Sequence, residues 1–269
     1  MAIAIEDGTI QLLNAQTWNQ LAQMEHNGTI ISMRFSNDGK RLAAAGDEGI
    51  VILWDLQTGK KLSEIKLEDK VNSASFTNDC RKVAMDGSNN TAKIWGVETG
   101  KELAEVKCDG QVFSVAFSSD GKRLATGSDD STARIWDLST GNEQASMRHD
   151  DLVFFVAFSP DGKKLVTGSM DATARIWDAI LGEELEKLQY IGIMRSAAFS
   201  PDGRWLAIQE WGDKVSILPV SPDDLICQAC SRLAYNLTSK DWWDRYCRDC
   251  NGPTATNQSS EDLSTVQVV

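Results

Sequence analysis

The chain has 269 residues, of which 42% are hydrophobic and 25% are charged, and these values are ordinary for a soluble globular protein. Its formal net charge of −12 disfavours nucleic acid and anionic membranes as partners, because both repel an acidic surface. The sequence shows no secretory signal and no run of ~18–20 apolar residues, and its six cysteines suggest a reducing compartment, so we expect a cytoplasmic protein.

A period of 41 residues runs through the chain from its N-terminal end. It is carried by phenylalanines at Phe35, Phe76, Phe117, Phe158 and Phe199, and by tryptophans at Trp54, Trp95, Trp136 and Trp177. The turn that begins at each phenylalanine also recurs, as FSNDGK, FTNDCR, FSSDGK, FSPDGK and FSPDGR. Such regularity indicates one supersecondary unit that is repeated along the chain.

Each copy of the unit predicts four short antiparallel strands joined by tight turns. In the last complete copy the predicted strands are Phe154–Ser159, Lys164–Gly168, Thr173–Trp177 and Glu184–Leu188. The first two are joined by Pro160-Asp161-Gly162, which suits a hairpin turn. Four-stranded units of ~40–45 residues with a Trp-Asp near the end are typical of propeller blades. We therefore predict an all-β fold, a β-propeller of four-stranded antiparallel blades.

The predicted propeller covers residues 1–220, with four complete blades between two partial ones. The first partial blade has strands at Ala2–Ile5, Thr9–Leu13 and Trp18–Met24, and the last has strands at Arg195–Ser200, Trp205–Gln209 and Val215–Leu218. Since a propeller must close to cover its sheet edges, two interpretations stay open. Either the chain is the C-terminal part of a longer propeller, or its two ends share a blade in a small ring. An incomplete ring could also self-associate with another chain.

These residues make the chain resemble the WD-repeat β-propeller proteins. The matching dipeptides are Trp54-Asp55, Trp136-Asp137 and Trp177-Asp178, with a degraded Trp95-Gly96. In that family a blade can be tied by hydrogen bonds among a His, a Ser, an Asp and the Trp. The resemblance implies such a structural network at His149, Ser169, Asp171 and Trp177, the one copy that has all four residue types. It also implies a structural rather than a catalytic or metal-binding role for the two histidines, His26 and His149.

A short helical extension, residues 221–250, is predicted to follow the propeller. An apolar stripe at helical spacing begins at Leu225, and Ser239 can cap a second helix that carries Trp242 and Trp243. The stretch DLICQACSRLAYNLTSKDWWDRY resembles the segment that ends many bacterial WD-repeat proteins whose N-terminal half is a signalling ATPase. The chain itself has no Walker-type phosphate loop. Residues 251–269 are rich in Ser, Thr and Asn and predict a disordered tail.

Four cysteines in the extension, Cys227, Cys230, Cys247 and Cys250, have the spacing of a four-thiolate zinc site. Both Cys-x-x-Cys pairs fall on predicted helices rather than on Gly- or Pro-bearing knuckles, however. Buried small apolar residues are therefore the leading interpretation, with a redox pair as a further alternative. We expect no metal and no cofactor.

Function is expected where the repeats differ, because the repeated residues are needed to build the blades. A variable position just inside each inner strand carries Asn72, Phe113, Phe154 and Arg195, and the loop between the second and third strands carries Met170 and Trp211. Exposed aromatic, Met and Arg side chains are typical of protein-binding hot spots. We therefore predict that these six residues bind a partner, the alternative being that Phe113 and Phe154 are core residues.

The sequence thus predicts a non-catalytic scaffold that binds proteins or peptides, or a ligand-sensing module, in a bacterial signalling system. No catalytic residue is predicted. The rival is a propeller enzyme with acidic residues at the central channel. Such an enzyme would need paired carboxylates at inner positions, where Asn72, Phe113 and Phe154 stand instead. A third alternative is an inactive fragment of a larger signalling ATPase.

Overall fold

Every regular element in the described part of the chain is a β-strand. The computed structural model describes residues 1–5, 8–67, 70–87, 89–189, 194–210 and 215–220. The chain divides into two compact units, Met1–Leu218 and Pro219–Val269, and only Pro219 and Val220 of the second are described. The predicted helical extension at 221–250 and the predicted tail at 251–269 lie outside the described residues.

The described strands form six antiparallel sheets that follow one another along the chain. The first has three strands, β1 (Ala2–Ala4), β2 (Thr9–Leu13) and β3 (Gln20–Glu25). The second contains β4 (Ile30–Phe35), β5 (Arg41–Gly46), β6 (Ile50–Asp55) and β7 (Lys61–Lys66). The third contains β8 (Ala74–Phe76), β9 (Lys82–Gly87), β10 (Thr91–Gly96) and β11 (Glu102–Lys107).

The remaining sheets repeat this pattern. The fourth contains β12 (Val112–Phe117), β13 (Arg123–Ser128), β14 (Thr132–Asp137) and β15 (Asn142–Arg148). The fifth contains β16 (Val153–Phe158), β17 (Lys164–Ser169), β18 (Thr173–Asp178) and β19 (Glu184–Gln189), and the sixth β20 (Met194–Phe199), β21 (Trp205–Glu210) and β22 (Val215–Pro219). Four four-stranded sheets between two three-stranded ones confirm the predicted fold class, a propeller fold of antiparallel blades. Closure of the ring stays a prediction.

The core lies between neighbouring sheets, and the repeated tryptophan belongs to it. Trp54 is buried in a cluster with Ile10 of the preceding sheet, and Trp136 in a cluster with Ile94 of its preceding sheet. Trp177 is likewise buried with residues of the fourth sheet. The periodic tryptophan is therefore the residue with which one blade packs onto the blade before it.

The repeated turn is held by the side chains of its Ser or Thr and its Asp. Ser159 Oγ donates to Asp161 Oδ1 at 2.6 Å and accepts from the backbone N–H of Lys164 at 2.9 Å. Gly162 adopts a φ of 68°, in the left-handed region that favours glycine. In the third sheet Cys80 takes this place with a φ of 57°, so the turn is retained without its glycine.

The aspartate of each Trp-Asp pair closes the next turn. Asp178 Oδ1 accepts hydrogen bonds from the backbone N–H groups of Ile180 and Leu181, at 2.8 and 2.9 Å. Asp55 and Asp137 accept equivalent bonds from the turns that follow them. In this dipeptide, therefore, the tryptophan joins blades and the aspartate directs the chain to the outer strand.

Inner strands of neighbouring blades are also joined by side-chain hydrogen bonds. Ser73 Oγ accepts from the backbone N–H of Val115 at 3.0 Å, and Ser114 Oγ accepts from that of Val156 at 3.1 Å. The two serines are one repeat apart, and so are the two donors. The contact therefore recurs from the third sheet to the fifth and fixes how successive inner strands are placed.

Substitution of Ser114 tests this contact. In Ser114→Ala the N–H of Val156, a buried residue, loses its acceptor, so we expect the free energy of unfolding to fall by about 1–3 kcal/mol. Urea unfolding followed by tryptophan fluorescence measures it. Leu185→Ala, at an exposed outer-strand position, is the control and should change stability by less than about 0.5 kcal/mol. An equal effect of the two variants would contradict the prediction.

Candidate functional site

In four of the five repeats the variable position is a β-bulge; in the third, Asn72 precedes the inner strand β8. The pairing register between the first and second strands of a blade shifts around Ile31, Phe113, Phe154 and Arg195. A bulge leaves one residue out of the ladder and re-aims its side chain. These positions vary because the ladder does not constrain them. The sequence shows the variability but does not predict the bulge itself.

Two of the predicted partner-binding residues, Phe113 and Phe154, lie at bulges. Their inner strands are adjacent, because β12 packs against β16. Each phenylalanine lies near the loop after its own second strand. The N–H of Met170 donates to the carbonyl of Leu152 at 2.9 Å, and that of Asp129 donates to the carbonyl of Gln111 at 3.0 Å. We call this region the bulge surface, and it comprises Phe113, Phe154, Met170 and the loop at Asp129.

The apolar residues of the bulge surface are accessible to solvent. Phe113 and Phe154 are half-buried, and Met170 is 46% exposed. Phe113 belongs to neither of the two hydrophobic clusters that flank its sheet. The alternative, that this phenylalanine is a core residue, is therefore not favoured.

The other three predicted partner-binding residues differ from these. Asn72 is exposed, but its Nδ2 donates to Asp86 Oδ2 at 3.0 Å and its side chain thus helps to order the start of β8. The backbone of Arg195 lies in β20, whereas its side chain and the whole of Trp211 fall outside the described residues. Their part in a binding surface stays a prediction.

Carboxylates surround the bulge surface. Asp129, Asp150 and Asp151 are exposed in the loops beside it, as is Asp109. Asp109 lies 2.7 Å from Arg134, and Asp150 lies 3.3 Å from Arg175, but these two arginines are buried and also contact Asp130 and Asp171. The surface around the apolar residues is therefore acidic, in keeping with the net charge of the chain.

In the fifth sheet, hydrogen bonds join His149, Asp171 and Trp177 through a threonine. His149 Nδ1 lies 3.0 Å from Asp171 Oδ2, and its Nε2 lies 2.7 Å from Oγ1 of Thr167. Trp177 Nε1 donates to the same Thr167 oxygen at 2.8 Å. Thr167, rather than Ser169, therefore joins the tryptophan to the histidine.

Strand geometry explains this correction. Leu165 is paired with Trp177, so Thr167 is one diagonal step away on the same face, within reach of the indole. Ser169 lies four residues along β17 from Leu165, roughly 13 Å at strand rise. Its hydroxyl instead donates to the carbonyl of Asp151 at 2.9 Å and accepts from the backbone N–H of Asp171 at 3.1 Å, without reaching the indole. A Thr ten residues before the Trp also occurs at Thr126, and this recurrence could have identified the link.

The fourth sheet keeps half of this network. Trp136 Nε1 donates to Thr126 Oγ1 at 3.0 Å, and Cys108 Sγ lies 3.4 Å from that oxygen in the position of the histidine. Asp130, without a histidine partner, accepts from Arg134 at 2.6 Å. Burial raises the pKa of the Cys108 thiol, so this cysteine stays a neutral core residue.

Burial lowers the pKa of both histidines. For His149 desolvation is the largest cause and outweighs the attraction of Asp171. Burial alone would raise the pKa of Asp171, but hydrogen bonds from Thr173, the Asp150 N–H and His149 outweigh it and the pKa is lowered. His26 Nε2 lies 3.1 Å from the carbonyl oxygen of Ile50, which requires the ring proton on that nitrogen. Both imidazoles are therefore neutral structural groups near neutral pH.

Among the described residues, a buried carboxyl and the possible metal ligands bear on the enzyme alternative. Asp86 is a buried inner-position carboxyl whose pKa is raised by burial, yet Oδ1 accepts from the N–H groups of Asn72 and Ser73, both at 2.9 Å. Among the residues described, His, Cys, Asp and Glu side chains form no group of three suited to a metal ion. The predicted cysteine cluster, Cys227, Cys230, Cys247 and Cys250, lies outside them. Within the described ranges, no helix has the length and apolar character needed to span a membrane.

Comparison with known families supports the repeat unit. The family described as "WD domain, G-beta repeat" matches residues 100–137 and 141–178, which span most of the fourth and fifth sheets. The family described as "Anaphase-promoting complex subunit 4 WD40 domain" matches residues 1–79. A search of curated proteins finds no match.

Thr167→Val tests the corrected network. Valine has the same shape but leaves the indole N–H of Trp177 and Nε2 of His149 unpaired in the core, so we expect a loss of about 2–4 kcal/mol of unfolding free energy. Ser169→Ala, which leaves the Trp177–Thr167–His149 contacts intact, should cost about 1 kcal/mol. Urea unfolding measures both. A larger loss in Ser169→Ala would restore the network that the sequence predicted.

The two buried histidines predict acid sensitivity. Their folded pKa values lie below the ordinary value of 6.5, so the unfolded chain binds protons that the folded chain does not, and stability falls as the pH drops below about 6.5. The slope should reach up to about 1.4 kcal/mol per pH unit for each histidine. The chain has only two, so the variant His26→Gln/His149→Gln should lose this slope between pH 7 and 5 in urea unfolding.

The double variant also separates the histidines from other titrating groups. Asp86 and Glu186, whose pKa values are raised by burial, act in the opposite direction as the pH falls. Both are retained in the variant. An unchanged acid slope without histidines would show that carboxyl groups, not the imidazoles, govern the pH dependence.

Proposed function

We propose that this chain, which matches the WD domain over residues 100–137 and 141–178, is a non-catalytic scaffold that captures a protein or peptide segment on the bulge surface. WD repeats generally serve as platforms for protein–protein interaction. The observation that carries the proposal is the position of Phe113, Phe154 and Met170. They are accessible apolar side chains at points where the strand ladder does not fix the residue type.

The chemistry of this surface defines the class of partner. Aromatic and Met side chains at the centre of an interface supply most of its binding energy. Exposed carboxylates at Asp129, Asp150 and Asp151 form an acidic rim that attracts basic residues and repels acidic ones. The segment that fits best has an aromatic or aliphatic anchor flanked by Lys or Arg.

A scaffold also accounts for how the polar residues are used. His149, Asp171 and Thr167 are bound to one another and to Trp177, and Asp86 holds the start of β8. General acid–base catalysis needs a titratable group that can reach a substrate proton. These groups are instead occupied in stabilising blades, which argues against the rival propeller enzyme.

The proposal also includes a signalling context and a cytoplasmic location for the protein. The resemblance of residues 224–246 to the end segment of bacterial WD-repeat signalling proteins suggests that the partner belongs to a signalling system. A ligand-sensing role would follow if binding to the bulge surface were passed to an attached domain. The acidic charge and the buried thiols of Cys80 and Cys108 suit a cytoplasmic location.

Selection from a random-peptide display library tests the proposal, because the library samples many apolar anchors and flanking charges at once. We expect enriched peptides to combine Lys or Arg with an aromatic or aliphatic residue and to bind more weakly as salt rises. The variant Phe154→Ser/Met170→Ser should weaken their binding at least about tenfold in fluorescence anisotropy, because it removes the apolar anchors.

The matched control is Leu62→Ser/Leu185→Ser, which alters two exposed apolar residues on outer strands. Urea unfolding confirms that both double variants remain folded. Peptides that bind Phe154→Ser/Met170→Ser as tightly as the unchanged chain, or that are lost only in the control, would refute the bulge surface as the binding site.

A further inference from the structure

The third sheet has lost the hydrogen-bond network that ties the fourth and fifth sheets. At the positions of His149, Thr167, Ser169 and Arg175, two repeats earlier, stand Leu67, Met85, Gly87 and Lys93. Only the tryptophan of the network is kept, as Trp95. A polar cluster has thus been replaced by apolar side chains, one lysine and a glycine.

A cavity occupies this place. It has a volume of about 320 Å³ and lies between the outer part of the second sheet and the third sheet, lined by Ile65, Leu67, Val71, Met85, Lys93 and Trp95 among others. Met85 and Lys93 are directly paired across β9 and β10, and Trp95 projects from the same face of β10 as Lys93. The volume is at the lower end of small-molecule pockets and is about twice that of an engineered cavity that binds benzene.

The indole of Trp95 has lost its acceptor. Trp136 and Trp177 donate their Nε1–H to Thr126 and Thr167, whereas the corresponding residue in the third sheet is Met85. Within the described residues, the buried Nε1 of Trp95 has no hydrogen-bond partner. An unpaired buried donor destabilises the folded chain, and a ligand acceptor that reaches it as neighbouring side chains adjust would recover the lost hydrogen bond.

Lys93, two residues before Trp95 on the same face of β10, supplies a cation. Its Nζ lies 3.4 Å from Glu102 Oε2, and its side chain is partly exposed, so the ammonium can be shared with a ligand. Asp86 also borders the cavity, but strand alternation turns its side chain to the opposite face of β9, where Asn72 and Ser73 bind it. Two polar features of the cavity, the N–H donor of Trp95 and the cation of Lys93, therefore favour an anionic acceptor.

We propose that this cavity binds a small organic acid with an apolar body. Its carboxylate accepts the Trp95 Nε1–H and pairs with Lys93, and its ring or branched chain lies against Ile65, Val71 and Met85. The cavity lies on the flank between two sheets, and its occupation does not depend on the function proposed for the bulge surface.

Three probes separate the parts of this ligand. Phenylacetate has both the ring and the acid, phenylacetamide keeps the ring with a neutral head, and acetate has the acid alone. In ¹H–¹⁵N spectra we expect phenylacetate to shift the Trp95 indole resonance with a dissociation constant on the order of 1 mM, a weak affinity suited to ten heavy atoms. The amide and acetate should each bind at least about fivefold more weakly.

The spectrum contains its own controls. The indole resonances of Trp136 and Trp177 should stay in place, because their N–H groups are already bonded to threonines. Trp95→Phe identifies the Trp95 resonance. This variant keeps most of the ring but removes the donor, so it should weaken phenylacetate binding about threefold to tenfold. Lys93→Met should have a similar effect. Trp136→Phe should leave binding unchanged. Binding to the tryptophan variants is followed through backbone amide resonances of β9 and β10.

Leu67→Phe fills part of the cavity and should also reduce phenylacetate binding, while melting temperatures confirm that each variant is folded. A Trp95 resonance that does not move at 10-fold the expected dissociation constant would overturn the proposal. So would equal affinities for phenylacetate and its amide, or unchanged binding to both Trp95→Phe and Lys93→Met. If Trp95→Phe does not fold, the Lys93→Met variant and the amide comparison still decide the outcome.

Discussion

Burial of apolar sheet faces between neighbouring blades is the interaction on which the rest of this molecule depends. Trp54, Trp136 and Trp177 are buried in clusters that combine two consecutive sheets. An aromatic side chain of this size removes about 150–250 Å² from water, worth on the order of 4–6 kcal/mol at ~25 cal/mol/Å² before entropy is counted. No sheet can bury these faces alone, so each blade is stable only against its neighbours.

Because packing supplies most of the cohesion, the polar network within a blade can vary. The fifth sheet has the complete series His149, Thr167 and Asp171, and the fourth has Cys108 in place of the histidine. In the second sheet His26 contacts a backbone carbonyl instead of a threonine. In the third the network has disappeared and a cavity remains. Hydrogen bonds are lost from one of these sheets to the next, yet the register between the second and third strands is the same in all four.

The sequence predicts those features that depend on a single residue type at a fixed spacing. The strands, the Asp-Gly turns and the buried tryptophans follow from the 41-residue period, and in the fifth sheet the strands begin and end within one residue of the predicted bounds. The family resemblance places Ser169 in the network, because several hydroxyl residues lie near Trp177 and their residue types do not rank them. Only the strand register shows that Thr167 is the one within reach.

The sequence does not predict the bulges or the cavity, because each depends on how several residues are arranged in the folded chain. A bulge at Phe113 or Phe154 depends on which of two neighbouring residues leaves the ladder, and the alternation of residue types does not determine it. A cavity depends on the volume that several side chains from two sheets leave unfilled. Leu67, Met85 and Gly87 look individually like ordinary strand and turn residues, and only their arrangement around Trp95 shows the space.

The distribution of the networks along the chain also separates the two candidate binding regions. The bulge surface belongs to the fourth and fifth sheets, where Arg134 and Arg175 each bind two or more carboxylates and the inner strands are joined through Ser114. A rigid support of this kind keeps side chains in place and lowers the entropy lost on binding a partner. The cavity belongs to the third sheet, which lacks such a network. The same repeat position therefore stabilises a blade where its polar residues are kept and leaves room for a ligand where they are lost.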